Sequence, residues 1–408
     1  MVRTVKVGSL APGINNRLEP TQLQTVLPDR SKATFLYGAD NVDINKKGYL
    51  KRRRGTASTI AGQSHSIWSD KQGAFAVING SLTALAASGA ALASSAVRAG
   101  LPALPISYSR GADGDVYWSN GQVIRRVAEG VDRPIATEPL AAVPAFTLTA
   151  GALREGRYLI ALTVRTVDGE SPATPVAQLE VPDGGGIAFT APTAVEVYMS
   201  GPNGDILTRQ ATGAAGNVAI VTHAEDGRRC ETLNMALMPA GTVVRHHRGR
   251  MLVASGNTLC VSEPYSYGIT DPSKSYFPFP APVTVVEPTE GGVYICADKT
   301  YWIDDLFNES LQTVLPYGAI PGTSGSSPND LQVFWQAPGG LVIGDATGAA
   351  KNVQEDALEL SNAATGASLY RERDGMHHIV STRFGVEPSV AAATSFMDAE
   401  IVRKGTIL

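Results

Sequence analysis

A strand–turn–strand unit whose turns are built on glycine recurs along this chain and limits the folds open to it. In the stretch GDVYWSNGQVIRRV (114–127), two runs of β-branched and aromatic residues flank Ser119, Asn120 and Gly121. Asn-Gly accepts positive φ at both central turn positions, so such a dipeptide between two apolar runs predicts a hairpin. The plan recurs at 66–85, with turns at 70–73 and Asn79-Gly80, and at 243–262, with turns at Arg248-Gly249 and Gly256-Asn257. It recurs again at 283–303 around Gly291-Gly292 and Asp298-Lys299, at 331–353 around Gly339-Gly340 and 346–348, and at 367–384 around Asp374-Gly375. Each unit is a strand, a glycine turn, a hydrophobic strand, and usually a polar turn into a third strand. Radial repetition of small antiparallel sheets protects their edges. The expected fold is therefore all-β, a β-propeller of about six blades with a repeat of roughly 40–50 residues per blade.

The units are not evenly spaced. Between Val127 and Val243 lie EGRYLIALTVRTVDGESPATPVAQLEV and AVEVYMSGPNGDILTRQATGAAGNVAIV, with turns at Asp168-Gly169 and 202–204. Short alternating strands with turns every 8–12 residues predict a small β-sandwich. This segment, 145–223, resembles a fibronectin type III-like module inserted between blades, with Tyr158 and Tyr198 expected between its facing sheets. The expected organisation is an N-terminal arm and assembly segment at 1–60, propeller blades at 61–144, the inserted sandwich at 145–223, and further blades at 224–408. Helix signals are sparse: SAVRAG and EDALELSNAA are each expected to form no more than a single turn.

The chain has 408 residues, enough for several domains, and a formal net charge of −4, which argues against a generic nucleic-acid binder. Charged residues are 18%, a low share that fits surfaces covered by partners. Cys230, Cys260 and Cys296 are far apart and lack metal-ligand spacing, so reduced thiols are expected. MVRTVKVGSL has no apolar run, so no leader is expected. The most apolar stretch, 74–106, is broken by Asn79-Gly80, Ser88-Gly89, Arg98, Gly100 and Pro102 and predicts no membrane span.

No catalytic set is legible, and no cofactor or metal is expected. His246-His247 and His377-His378 are adjacent, so on a strand each pair points to opposite faces and cannot easily chelate one ion. Asp304-Asp305 and Glu225-Asp226 offer carboxylates for acid and base, but a glycosidase needs two of them about 5–10 Å apart in a cleft, a separation that sequence does not show. Gly322, Thr323, Ser324 and Gly325 are out of register for a nucleophile elbow. The boxes of sialidase-type propellers, phosphate-binding loops and calcium loops are missing from the sequence.

One charged feature stands out. Lys46, Lys47, Lys51, Arg52, Arg53 and Arg54 cluster in NVDINKKGYLKRRRGT (41–56). Val42 and Ile44 alternate with polar residues, a turn follows at Lys47-Gly48, and Tyr49-Leu50 re-enters a strand. The run therefore reads as a hairpin with basic outward positions, and Lys51, Arg52, Arg53 and Arg54 are the expected assembly contact. A solvated basic hairpin and a nucleic-acid arm are the other readings.

GINNRLEPTQL (13–23) followed by ADNVDINKKGYLKRRRGT (39–56) resembles the opening of the tail nozzle, or tail tubular, proteins of short-tailed bacteriophages. The matching residues are Gly13, Ile14, Asn15, Asn16, Asn41, Val42, Asp43, Ile44, Gly48, Leu50, Arg52 or Arg53, and Gly55. HRGRMLVASGNTLCVSEP (247–264) resembles a propeller strand of that family. The resemblance implies a structural virion protein of the tail or neck, made in the host bacterial cytoplasm. It implies a homo-oligomeric ring, a hexamer, around the channel through which double-stranded DNA passes. The implied neighbours are portal-adaptor (head-to-tail connector) proteins and tail fibres or spikes. The alternative is a tail β-propeller that binds or depolymerises host-surface glycan.

Overall fold

A computed structural model describes residues 9–403, apart from 41, 45–47, 53–59, 89–90, 226, 307–310, 328–331, 361–362, 374–375 and 386–398. Among these residues there is no α-helix; one short 3-10 turn, Pro20–Gln22, is the whole helical content. The fold is all-β, built from the small antiparallel meanders of a β-propeller. The chain divides into two compact units, Gln63–Pro278, and Met1–Gly62 with Phe279–Leu408.

The Gln63–Pro278 unit holds three four-stranded blade sheets, at 64–98, 107–134 and 243–278. Two of their turns follow the sequence closely, whereas at Asn120-Gly121 only Gly121 takes positive φ, 84°. There the loop runs from Asn120 to Val123, with Asn120 Oδ1 accepting from the amides of Gln122 and Val123, both at 3.0 Å. Asn79 and Gly80 both adopt positive φ, at 48° and 71°, and Arg248 and Gly249 do the same, at 45° and 75°. Those angles match the twist of the flanking strands. Each sheet has four strands, more than the sequence made legible: Ala91–Arg98 adds a fourth to the first, and Ser107–Arg110 and Val131–Pro134 flank the two strands read in 114–127. Ala91–Arg98 absorbs most of SAVRAG, which is extended strand through Arg98 and not a helical turn. Ser94 and Ser95 pair with Leu85 and Ala84 in a ladder, and that register overrides the local helical preference.

The middle strands of the blades are buried on both faces. In Val116–Ser119 every residue is buried. Val116 and Trp118 face the 64–98 sheet with Val77 and Leu82, while Tyr117 faces the 243–278 sheet with Val244, Met251 and Tyr267. A strand covered on two sides reads as a continuous apolar run, which is why these segments lack period-two alternation. Hydroxyls stitch neighbouring sheets. Ser107 Oγ accepts from Val244 N at 3.0 Å, Ser109 Oγ from His246 N at 2.8 Å, and Ser119 Oγ from Gly241 N at 3.1 Å.

The same unit contains a two-sheet sandwich with strands from Thr147 to Ile220. One sheet pairs Thr147–Leu153, Gly185–Ala191 and Gly216–Ile220; the other pairs Ala177–Val181, Gly156–Thr163, Val195–Met199 and Thr208–Gly213. Tyr158, Ile160 and Leu162 fill its core with Val195, Val197 and Met199. Tyr198 does not: alternation along Val195–Met199 turns it outward, against Ala161, Leu207, Cys230 and Leu233. The strip 228–233 thus covers the sandwich's outer face. It is held there by Arg228, which reaches Glu170 and the Tyr198 hydroxyl at 2.7 Å each.

The second unit holds blade sheets at 285–315 and 325–352, with four strands each, and a three-stranded sheet at 365–403. Tyr294, Cys296, Trp302, Val333, Trp335 and Val342 form the layer between the first two. The Tyr294 hydroxyl lies 2.9 Å from the Asp345 and Ala349 carbonyl oxygens. Gly344 admits this ring: a Cβ there would sit 2.7 Å from it. Within EDALELSNAA, the amides of Ala357 and Leu358 close a single turn onto the Gln354 carbonyl.

Candidate interaction surfaces

The described residues of the N-terminal motif sit in the second unit, and Gly13, Asn15, Asn16 and Gly48 each have a local task. Gly13, at φ 87°, turns the chain so that its carbonyl accepts from Leu36 N and Asn15 N reaches Leu36 O, both at 2.8 Å. The buried Asn15 side chain accepts from the amides of Arg17 and Leu18, both at 3.1 Å. Asn16 clamps the arm to the strip after the 325–352 sheet. Its amide donates to Ala357 O at 3.1 Å, its Nδ2 donates to Glu359 O at 3.0 Å, and its Oδ1 accepts from Glu359 N at 2.7 Å. Arg17 Nε donates to Leu358 O at 3.1 Å. The two asparagines therefore satisfy backbone groups that would otherwise lack partners.

The hairpin expected over the basic run is present, with Val42–Ile44 paired to Leu50–Arg52. Gly48 closes it at φ 77°; a Cβ there would lie 2.1 Å from Ser9 Oγ, and its carbonyl accepts from Leu10 N at 3.0 Å. Lys51 and Arg52 are exposed, but they do not share a face. Lys51 stands across from Asp43, whereas Arg52 stands across from Val42, on the face shared by Leu50 and Ile44. Lys46, Lys47, Arg53 and Arg54 lie outside the described residues, as do Asn41 and Gly55 of the motif. The arm displays several large apolar side chains to solvent: Val26, Tyr37, Tyr49 and Leu50 are 63%, 56%, 65% and 46% exposed.

A groove in the same unit was not legible in the sequence, because its walls come from separate sheets. It has a volume of about 360 Å³ and lies against the 325–352 sheet and the strands Thr365–Arg373 and Met376–Phe384. Phe334, Leu341, Ile343 and Ile379 line it, together with Glu355 and Asp356. The Tyr370 hydroxyl and His377 Nδ1, also in the lining, are hydrogen-bonded to each other.

The histidine pairs separate as strand geometry requires. His246 Nε2 lies 3.2 Å from the Tyr267 hydroxyl, and burial pushes its pKa below the ordinary value. His247 is buried and is pushed down to about 4, by desolvation first and then by the nearby charge of Arg248. His377 borders the groove while His378 is buried. Asp304 accepts from the Asp305 amide at 2.7 Å, so this pair has a local backbone role. Asp226 lies outside the described residues. Thr323, in the glycine-rich loop, is buried; its Oγ1 accepts from Gln336 N at 3.0 Å and donates to Ile320 O at 2.6 Å. The three cysteines are unpaired, and burial pushes the Cys296 thiol up to about 12. Among the described residues no group of three or more His, Cys, Asp or Glu side chains is placed to hold a metal ion. No helix there is long and apolar enough to cross a membrane.

No family model and no curated protein matches this chain. Solved structures similar to it include virginiamycin B lyase from Staphylococcus aureus, at 10% identity and a TM-score of 0.35 over 78% of this chain and 90% of that one. The WD40 β-propeller domain of Doa1 is similar at 12% identity and a TM-score of 0.30, over 77% and 88%. AztD from Citrobacter koseri is similar at 10% and 0.26, over 72% and 87%.

Proposed function

We propose that this chain is a structural virion protein that forms a ring-shaped tail nozzle or neck component, retains packaged double-stranded DNA and passes it during ejection. The observation that supports this reading most is the N-terminal arm. Its motif residues Gly13, Asn15, Asn16 and Gly48 hold it in place through backbone contacts, while Val26, Tyr37, Tyr49 and Leu50 face solvent. An arm that spends specific hydrogen bonds on its own position and leaves large apolar groups outside is suited to contact a neighbouring subunit. Lys51 and Arg52 add cations to that surface, and guanidinium groups suit bidentate pairing with carboxylates at interfaces. In this role the partners are further copies of the chain, the head-to-tail connector above, and fibres or spikes outside. The blades are scaffold, and the role requires no catalytic residue.

The experiment is imaging of purified tailed particles with antibody to this chain, for the wild type and for Asn16→Ala with Arg17→Ala. The proposal expects the chain at the head–tail junction or tail, and loss of tailed particles when the arm is unclamped. Absence of the chain from purified particles would overturn it.

A further inference from the structure

The groove and the hairpin belong to one unit but are different surfaces, and their chemistries are complementary. The groove is floored by apolar side chains and bears the exposed carboxylates of Glu355 and Asp356; Lys351 also lines it, so the carboxylates outnumber the ammonium group. The hairpin face formed by Ile44, Leu50, Val42 and Arg52 is aliphatic and ends in a cation. Leu50, Lys51 and Arg52 are all exposed, so this strand is not seated in its own copy's groove. Among the described residues it is also one strand of a two-stranded sheet, and sheet edges are templates for pairing with a partner.

We propose that the groove lined by Phe334, Ile343, Ile379, Glu355 and Asp356 receives the paired strands Val42–Ile44 and Leu50–Arg52 of a second copy of this chain, Leu50 entering the apolar floor and Arg52 meeting the carboxylates. The inference rests on the ring reading above and names its contact. A patch that fits a different patch on the next copy makes a head-to-tail interface, and such interfaces close into rings when the rotation allows. An isologous contact between like surfaces stops at the dimer. Arg is enriched at interfaces and among their hot spots, and its guanidinium pairs bidentately with carboxylates.

The test uses the full chain with Arg52→Cys and Glu355→Cys together, oxidised at high concentration beside the wild type and each single variant. The expected result is a ladder of covalently linked multimers beyond the dimer in the double variant only. No linkage between copies, or linkage that stops at the dimer, overturns the head-to-tail contact. A second arm reverses charge. Glu355→Lys with Asp356→Lys is expected to abolish the ring while leaving the unfolding transition of the isolated chain unchanged, and adding Arg52→Glu is expected to restore rings in part. Wild-type rings that persist unchanged in the lysine variant overturn the groove contact alone. A wild-type chain that is monomeric within purified particles overturns the ring and the groove contact together.

Discussion

Two buried residues carry the clearest energetic signatures. His247 has a folded-state pKa of about 4, below its ordinary 6.5, because burial disfavours the imidazolium. A depressed folded pKa means that the unfolded chain binds the proton first. The stability due to neutral His247 is therefore complete above about pH 6.5 and is lost as pH falls toward 4. The difference amounts to about 3 kcal/mol at most. Urea unfolding from pH 7 to 4 should show a steeper loss in wild type than in His247→Gln; parallel curves would contradict the assignment. Arg383 is the second case. It is 8% exposed, its Nη2 donates to Ala337 O at 2.9 Å and to Pro338 O at 3.2 Å, and its Nε and Nη1 have no hydrogen-bond partner among the described residues. Burial lowers its pKa. Removing a poorly paired buried cation offsets the loss of two carbonyl contacts, so Arg383→Met should change stability by less than about 1 kcal/mol in either direction. A loss above about 3 kcal/mol would mean the cation is paired after all.

At the scale of elements, blades are held to one another by a few side-chain-to-backbone bonds laid over apolar layers. Ser119 is fully buried, accepts from Gly241 N, and lies 2.7 Å from Gly241 O and 2.9 Å from Val123 O. Ser119→Ala strands those groups and should cost about 1–3 kcal/mol in chemical denaturation; a loss below a few tenths would show that the stitch is replaceable. The sandwich should be separable from the blades. Its polar ties include Arg126 of the 107–134 sheet to Asp168 at 2.7 Å and Thr137, just after that sheet, to Thr166 at 2.6 Å. Because 228–233 lies on the sandwich, the cut belongs after that strip. Replacing 145–235 by a Gly/Ser bridge should leave a cooperative unfolding transition, and its loss would argue against independent folding. These elements also show what the sequence made legible. Asn79-Gly80 and Arg248-Gly249 predicted their hairpins because the turn angles are a local property. The outer strands did not announce themselves: Ala91–Arg98 is rich in Ala and Ser and takes its conformation from its ladder. The orientation of Tyr198 was lost for a related reason, since Val195–Met199 is buried on both faces and composition does not say which face is the core. The groove was invisible because Phe334, Glu355 and Ile379 are distant in the chain and meet only through sheet packing.

For the whole molecule, the proposed assembly is a ring of identical copies built through the N-terminal arm. The chain's net charge of −4 and the basic run near its N-terminus give one molecule both halves of an electrostatic contact. Such contacts fix register more than they add affinity, and surface pairs are screened by salt. Rings should therefore loosen as ionic strength rises if the charges act at the contact, and sedimentation in 0.05 M and 1 M salt reads this out; rings indifferent to salt would place the apolar arm residues alone at the interface. The most direct measurement is the copy number and arrangement of this chain in a three-dimensional image of the purified particle. The expected result is a hexameric ring with an axial opening wide enough for double-stranded DNA, and arms reaching from each copy to the next. A monomer or trimer at that position, or a ring whose arms point away from the neighbouring copy, would contradict it.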